Sequence, residues 1–320
     1  MHPAGVLAFC VIAPALVLLV GQADLPPYLV HIVTLACTYA IPAIGLNIML
    51  GYAGLVCLGH AAFVGLGAYA LGILAVDRGW SFWAALPIAA LVAGAAGAGL
   101  GAVTLRLRTH FFMISTLAFG LVFHAVANNW DGLTRGAVGL PGIPRPEGFA
   151  FLGFDFAFRR LPDFGAFAVG ATAIAFALSA LLIRSDFGRM LSALRQDETL
   201  AAAKGVNVTA GKILAFAIGA AIAGAGGAVK AAFLRVAAPA SFEYLEGINL
   251  VLIVIIGGAG RLPGPILGAL LFVALPEYLR VAAEWRLVFF GIALVLLMRF
   301  APEGLAGIAA KILRRRAAPA

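Results

Sequence analysis

Residues 165–183, GAFAVGATAIAFALSALLI, run for nineteen positions without a charged side chain. At about 1.5 Å rise per residue, a helix of that length covers a hydrocarbon core about 30 Å thick. Several other stretches match it. The chain is 63% hydrophobic and 11% charged, with a mean hydropathy of +1.05, far from the composition of a soluble domain. These numbers predict an all-α integral membrane protein, a polytopic helical bundle forming one domain over residues 1–320.

Working outward, the apolar runs place spans near 5–20, 28–50, 55–76, 82–105, 109–127, 162–184, 211–234, 247–260, 265–281 and 286–300, about ten in all. The run at 247–260 is short and reads equally as a re-entrant segment packed in protein. Residues 5–20 lack the basic flank of a signal peptide and read as a retained first helix, with cleavage after Ala23 as the alternative. Small residues recur at four-residue spacing: Gly97 and Gly101, Ala220 and Gly224, Ala223 and Gly227. In lipid, where helices associate by close backbone approach, such faces mark tight contacts. Pro14, Pro42 and Pro87 fall inside spans and are expected to kink them.

Ten spans put both termini on one side. That side then carries thirteen Lys/Arg against eight on the other, with Lys230 inside a span. The bias points to cytoplasmic termini and a cytoplasmic 185–212 loop. The net charge of +8 is spread over span ends and a short tail (Lys311, Arg314 to Arg316), a pattern for orientation and anionic lipid rather than nucleic acid. Cys10, Cys37 and Cys57 all sit in apolar runs without metal or disulfide spacing.

The loop 185–212, SDFGRMLSALRQDETLAAAKGVNVTAGK, is the one long charged stretch that also favours helix. Its LSALRQDETLAAAKG is expected to form a short helix lying along the membrane face, ended by Gly205 as a C-cap. Such a helix reads as a docking element for a separate partner, with a plain solvated surface helix as the other reading.

Reaction chemistry is sparse. No HExxH, GxSxG or phosphate-binding loop occurs, and GGAGRLPGP at 257–265 reads as a tight turn between spans. Neither catalytic residues nor a cofactor nor a metal site is expected, and the chain does not read as an enzyme. All fourteen acids fall in loops or near span ends, which disfavours an ion-coupled secondary transporter. Lys230, near the end of its span, is expected to snorkel to the interface, with lining of a passage as the second reading. Polar groups at membrane depth are Asn47, His60, Ser115, Thr116 and Asn249. Each is either a lining residue of a passage or an interhelical hydrogen bond, the latter favoured for His60.

Several ordered motifs carry a resemblance. Gly51-Tyr52-Ala53-Gly54, Leu58-Gly59-His60-Ala61-Ala62-Phe63 and Gly65 to Tyr69 come first. Thr116 to Gly120, Gly139-Leu140, Gly142-Ile143-Pro144, Gly188-Arg189, Ala193-Leu194-Arg195, Asp197-Glu198 and Gly205-Val206-Asn207 follow. Gly257-Gly258, Gly264-Pro265, Pro276-Glu277 and Pro302 to Leu305 complete the set. Over residues 40–307 the chain resembles branched-chain amino-acid ABC transporter permeases of the LivM type. Leu55 and Cys57 stand where that family usually has a glutamine and a serine, and Arg135-Gly136 where two glycines are usual.

The resemblance implies half of a pore in the bacterial inner membrane. Its partners would be a second permease of the LivH type, two cytoplasmic ATPases that hydrolyse the ATP, and a periplasmic substrate-binding protein. The cargo would be leucine, isoleucine or valine, with urea, short amides and other amino acids as alternatives. Gly188, Arg189, Arg195, Asp197, Glu198, Ala202 and Gly205 would then form the ATPase-coupling loop. Asn47, His60, Ser115, Thr116 and Asn249 would be candidates for the translocation path. Asn128, Asn129, Asp131, Arg135 and Arg145 in the loop 128–161 would face the binding protein.

Overall fold

The computed structural model describes residues 26–107, 109–151, 154–156, 158, 160–278, 291, 295, 299, 304–308 and 311. Among the described residues seven helices are long and apolar enough to cross a membrane, and Gly264–Glu277 forms a shorter apolar helix. These eight match eight of the ten expected spans. The expected span at 5–20, with Pro14, lies outside the described residues. Of 286–300 only Gly291, Val295 and Arg299 are described, each of them helical.

The first helix, α1 (Pro27–Asn47), starts on a proline whose missing N–H costs nothing at that position. It contains Pro42 and runs on into a π-helical turn, Ile48–Tyr52. Helix α2 (His60–Gly72) likewise ends in a π-turn, Ile73–Asp77. Helix α3 (Phe82–Thr104) is capped by Ser81, whose hydroxyl accepts from the Ala84 amide at 3.3 Å. Helix α4 spans Thr109–Asn129, and a one-turn helix α5 spans Asp131–Thr134. Beyond the outer loop come α6 (Leu161–Arg184), two short helices α7 (Asp186–Gln196) and α8 (Glu198–Ala203), and α9 (Val208–Leu234). Asn207 caps α9 by accepting from the Ala210 amide at 3.0 Å. Helices α10 (Tyr244–Gly257) and α11 (Gly264–Tyr278) follow.

Helix α9 is the hub. It packs against α3, α2 and α1, while α6 and α11 flank α1. The small-residue faces predicted from spacing make these contacts. A Cβ placed on Gly97 would sit 2.5 Å from that of Ala220, and one on Gly226 would sit 2.6 Å from Pro42 Cδ. One on Gly227 would overlap the Val64 carbonyl, and one on Gly67 the Gly224 carbonyl. The backbones therefore touch directly, which is how helices gain dispersion contact where lipid offers no hydrophobic drive.

Two boundaries differ from expectation. The span expected at 55–76 becomes helical only at His60, and residues 54–57 form no regular secondary structure. Leu55 and Cys57 are buried, the Leu58 amide donates to Thr116 Oγ1 at 3.3 Å, and Gly59 lies against the Thr116 carbonyl. Hydropathy cannot distinguish a buried irregular run from a helix, because both bury apolar side chains. The segment expected at 247–260 starts earlier, as a 3₁₀ turn Pro239–Phe242 leading into α10. With that turn it is 19 residues long, enough for a candidate span.

Cys57 is fully enclosed by the protein. A thiol closed off in this way is out of reach of a dissolved reagent, and a buried cysteine is chemically inert. Maleimide should label Cys57 only after denaturation. Labelling of the intact protein at the rate of an exposed thiol would show that residues 53–59 are not packed in this way.

The loop opposite the α7–α8 face is pinned to the bundle. Strand β1 (Leu140–Pro141) pairs with the strand after α9, pairing Leu140 with Ala237 and Pro141 with Val236. Between them β2 (Phe149–Phe151) and β3 (Phe154–Phe156) form a hairpin, and Val236–Ala237 is β4 in chain order. Trp83 Nε1 donates to the Glu147 carbonyl at 3.0 Å. These strands are the small departures from an all-α chain.

Candidate functional site

The segment 185–207 folds as two helices rather than the single one expected. Asp197 breaks it: its backbone is extended (φ −157°), and its Oδ1 accepts from the Thr199 and Leu200 amides at 2.8 and 3.0 Å. An aspartate that caps so well favours starting a helix over continuing one. The end at Gly205 is as predicted. Its φ is +84°, its amide donates to Ala202 O at 2.9 Å, and the Val206 amide donates to Ala201 O at 3.1 Å. This is the Schellman pattern, in which a left-handed glycine closes the last turn.

The two helices present one face inward and one outward. Leu191, Leu194 and Ala201 are buried, while Arg189, Leu200 and Ala202 are exposed. Gly188 is buried at the corner where a Cβ would overlap the Ile183 carbonyl, so α7 turns tightly off the end of α6. Among the described residues Arg189 pairs with Asp186 of its own helix. Glu198 reaches Lys212 at the start of α9, at 2.5 Å. With Lys212 largely buried, this pair ties α8 to the hub helix.

Arg195 makes the longest connection from this segment. Its Nη1 donates to the Gly51 carbonyl, 144 residues earlier in the chain. Gly51 lies in the π-turn that ends α1, where a Cβ would collide with Asn47 Oδ1 and the Gly260 amide. Asn47 itself clamps the turn between α10 and α11. Its Oδ1 accepts from the Gly260 amide at 2.8 Å and its Nδ2 donates to the Arg261 carbonyl at 3.1 Å. Gly260 stands at φ +81°, a conformation that lets the turn expose both groups to one amide. One joint thus collects α7, the end of α1 and the α10–α11 turn. The 257–265 turn was legible in the sequence; its tie to Asn47 and Arg195 was not.

The other polar residues at depth are placed separately. His60 Nε2 lies 3.1 Å from the Pro42 carbonyl and is fully buried, an interhelical contact at the point where α1 carries its proline. Thr116 donates to Met113 O at 2.8 Å while accepting from Leu58. Ser115 donates to Phe111 O of its own helix at 2.8 Å. Asn249 Nδ2 reaches Glu246 Oε2 at 3.4 Å.

That last contact belongs to a cluster that sequence reasoning missed. Lys230 does not snorkel. It is 5% exposed and forms an ion pair with Glu246 in the first turn of α10. Its Nζ lies 4.6 Å from the Tyr39 ring centroid and 5.8 Å from that of Phe242. The correction has a plain reason: an oppositely charged partner inside the protein removes the need to reach water. A lysine inside one apolar run and a glutamate near the start of the next were the available signal.

On the opposite face Asn128, Asn129, Asp131 and Arg135 are exposed. Asn129 donates to Ala125 O at 2.8 Å. Arg135 adopts a left-handed φ of +60° and pairs with Asp77 at 3.0 Å, joining the loop to the end of α2. Arg145 is half-buried, with its guanidinium 5.6 Å over the Phe164 ring.

Comparison with known proteins gives a consistent answer. Residues 28–298 match the family model described as the permease component of branched-chain amino acid transport systems. The chain is 34% identical to the high-affinity branched-chain amino acid transport system permease protein LivM of Escherichia coli (strain K12), covering 86% of this chain and 69% of that one. It is 27% identical to LivH of the same organism, covering 86% and 93%. No solved structure matches significantly.

Proposed function

Because the chain belongs to the family of permease components of branched-chain amino acid transport systems, we propose that it forms one half of the membrane pore of an ATP-driven importer for leucine, isoleucine and valine. The other half is a related permease of the LivH type. Likeness to both permeases supports a pair of similar subunits, as a pore between two chains requires. The face carrying α7 and α8 is cytoplasmic and seats a partner ATPase, one of two. The face carrying 130–160 is periplasmic and receives a loaded binding protein on Asn128, Asn129, Asp131, Arg135 and Arg145. ATP is hydrolysed by the partners and not by this chain.

The observation that carries this reading is the Arg195 joint. A docking helix that ended in solvent would transmit nothing, whereas α7 is bonded to the end of α1 and, through Asn47, to the α10–α11 turn. The joint falls on a π-turn, a rare form of helix that is frequent at functional sites. Closure of the ATPases on α7 and α8 shifts Gly51, and α1, which carries Pro42 against His60, passes the shift to mid-membrane. Outward-open and inward-open states then exchange as two packings of one bundle.

Co-expression with the partner genes and reconstitution in liposomes tests it. Glu198→Lys reverses the charge facing Lys212, and Gly205→Val forces a β-branched residue into a left-handed site at a cost of about 1–2 kcal/mol. Both variants should reduce ATPase co-purification and leucine uptake severalfold. Intact assembly and uptake in both would show that α7 and α8 are not the docking element.

A further inference from the structure

We propose that Lys230 and Glu246 form a contact site for the charged ends of an amino acid in transit, Lys230 receiving its carboxylate and Glu246 its ammonium. The proposal rests on the reading above that this chain carries amino acids. The pair lies beneath the face carrying 130–160. Lys230 is four residues from the end of α9, about 6 Å at helical rise, and Glu246 opens α10. The β1–β4 pairing sits directly beyond α9.

Stability does not explain the pair. Withdrawing two charges from water is expensive, and apolar residues of similar volume usually serve a buried site as well or better. Nor are the charges needed to set the helices in register. Gly226 and Gly227 already hold α9 against Pro42 and Val64, and Gly247 holds α10 against the Leu58 carbonyl. Ionisable groups at membrane depth mark pathways more often than they mark packing.

The chemistry fits a zwitterion. Glu246 offers two carboxylate oxygens, one to Lys230 and the other to Asn249. Lys230 offers three donors, flanked by the aromatic faces of Tyr39 and Phe242, which also suit a second ammonium. Inserting an amino acid between the two exchanges one ion pair for two. Pair and cargo are each neutral overall, so no net charge enters the bilayer in either state. Phe272, 6.1 Å from Tyr39 between ring centroids, adds an apolar wall for the cargo's side chain.

The test uses the whole importer in proteoliposomes, reading labelled leucine uptake and ATP hydrolysis stimulated by leucine-loaded binding protein. Lys230→Met/Glu246→Gln removes both charges without leaving either unpaired. It should assemble and hydrolyse ATP within about twofold of the unaltered importer, while leucine moved per ATP falls about tenfold, the effect of losing one charge-assisted hydrogen bond. Unchanged leucine per ATP would overturn the proposal and make the pair structural. If that variant does not assemble, Lys230→Arg and Glu246→Asp, which keep the charges but displace them, should each lower leucine per ATP severalfold. Unchanged coupling in both would overturn it equally. Failure of the unaltered importer to take up any amino acid would overturn the transport reading itself, an outcome distinct from normal uptake by every variant.

Discussion

Gly227→Leu should leave almost no assembled protein in the membrane, whereas Gly99→Leu should accumulate normally. Both glycines lie in long apolar helices and differ only in their surroundings. Nothing lies within 4 Å of the position a Cβ would take on Gly99. On Gly227 that atom would fall inside the Val64 carbonyl, and the neighbouring contact of Gly67 with the Gly224 backbone leaves α2 nowhere to retreat. Overpacking a core by a side chain typically costs about 1–3 kcal/mol. Here the obstacle is backbone, which cannot change rotamer, so the cost exceeds that range and approaches the whole stability of a domain, roughly 5–15 kcal/mol. Membrane yield and thermal stability of the two variants provide the measurement. Equal yields would mean that α2 and α9 do not touch.

Arg195→Ala should uncouple the importer: ATPase binding and hydrolysis persist while uptake per ATP falls roughly ten- to hundredfold. The range follows from removing a charge-assisted hydrogen bond worth about 1.5–3 kcal/mol between α7 and Gly51. The stem of Arg195 also covers Gly54, and that packing is lost too. Arg189→Ala makes the informative contrast. Its side chain is exposed and pairs with Asp186 of its own helix, so the variant should weaken co-purification of the ATPase and leave uptake per ATP alone. Normal coupling in Arg195→Ala would remove the joint from the mechanism.

The spans and their small-residue seams could be read from sequence because the bilayer permits few solutions. Backbone groups must be satisfied within the segment, and close packing needs glycine and alanine. What escaped reading depends on partners far away in the chain. Asn47 announces a polar group at depth, yet its partners are Gly260 and Arg261, more than two hundred residues on. Lys230 looked like an interfacial lysine because a hydropathy window does not see Glu246 on another helix. Residues 55–59 looked helical because most of their side chains are apolar, although Thr116 and Gly247 are what hold them. Asp197 was read as a charge on one helix, and its capping power, which divides the segment in two, was overlooked.

The late start of α2 has a consequence for how the protein is made. Residues 58–60 are held by Pro42, Thr116 and Gly247, and the last of these leaves the ribosome nearly two hundred residues after Gly59. Until then the unwound stretch carries peptide groups at membrane depth with part of their protein surroundings still unmade, a state that lipid does not tolerate. The first hairpin therefore cannot settle on its own. Its final depth is set when the C-terminal helices arrive, so synthesis runs from the first residue onward while the decisive packing is fixed from the last helices back.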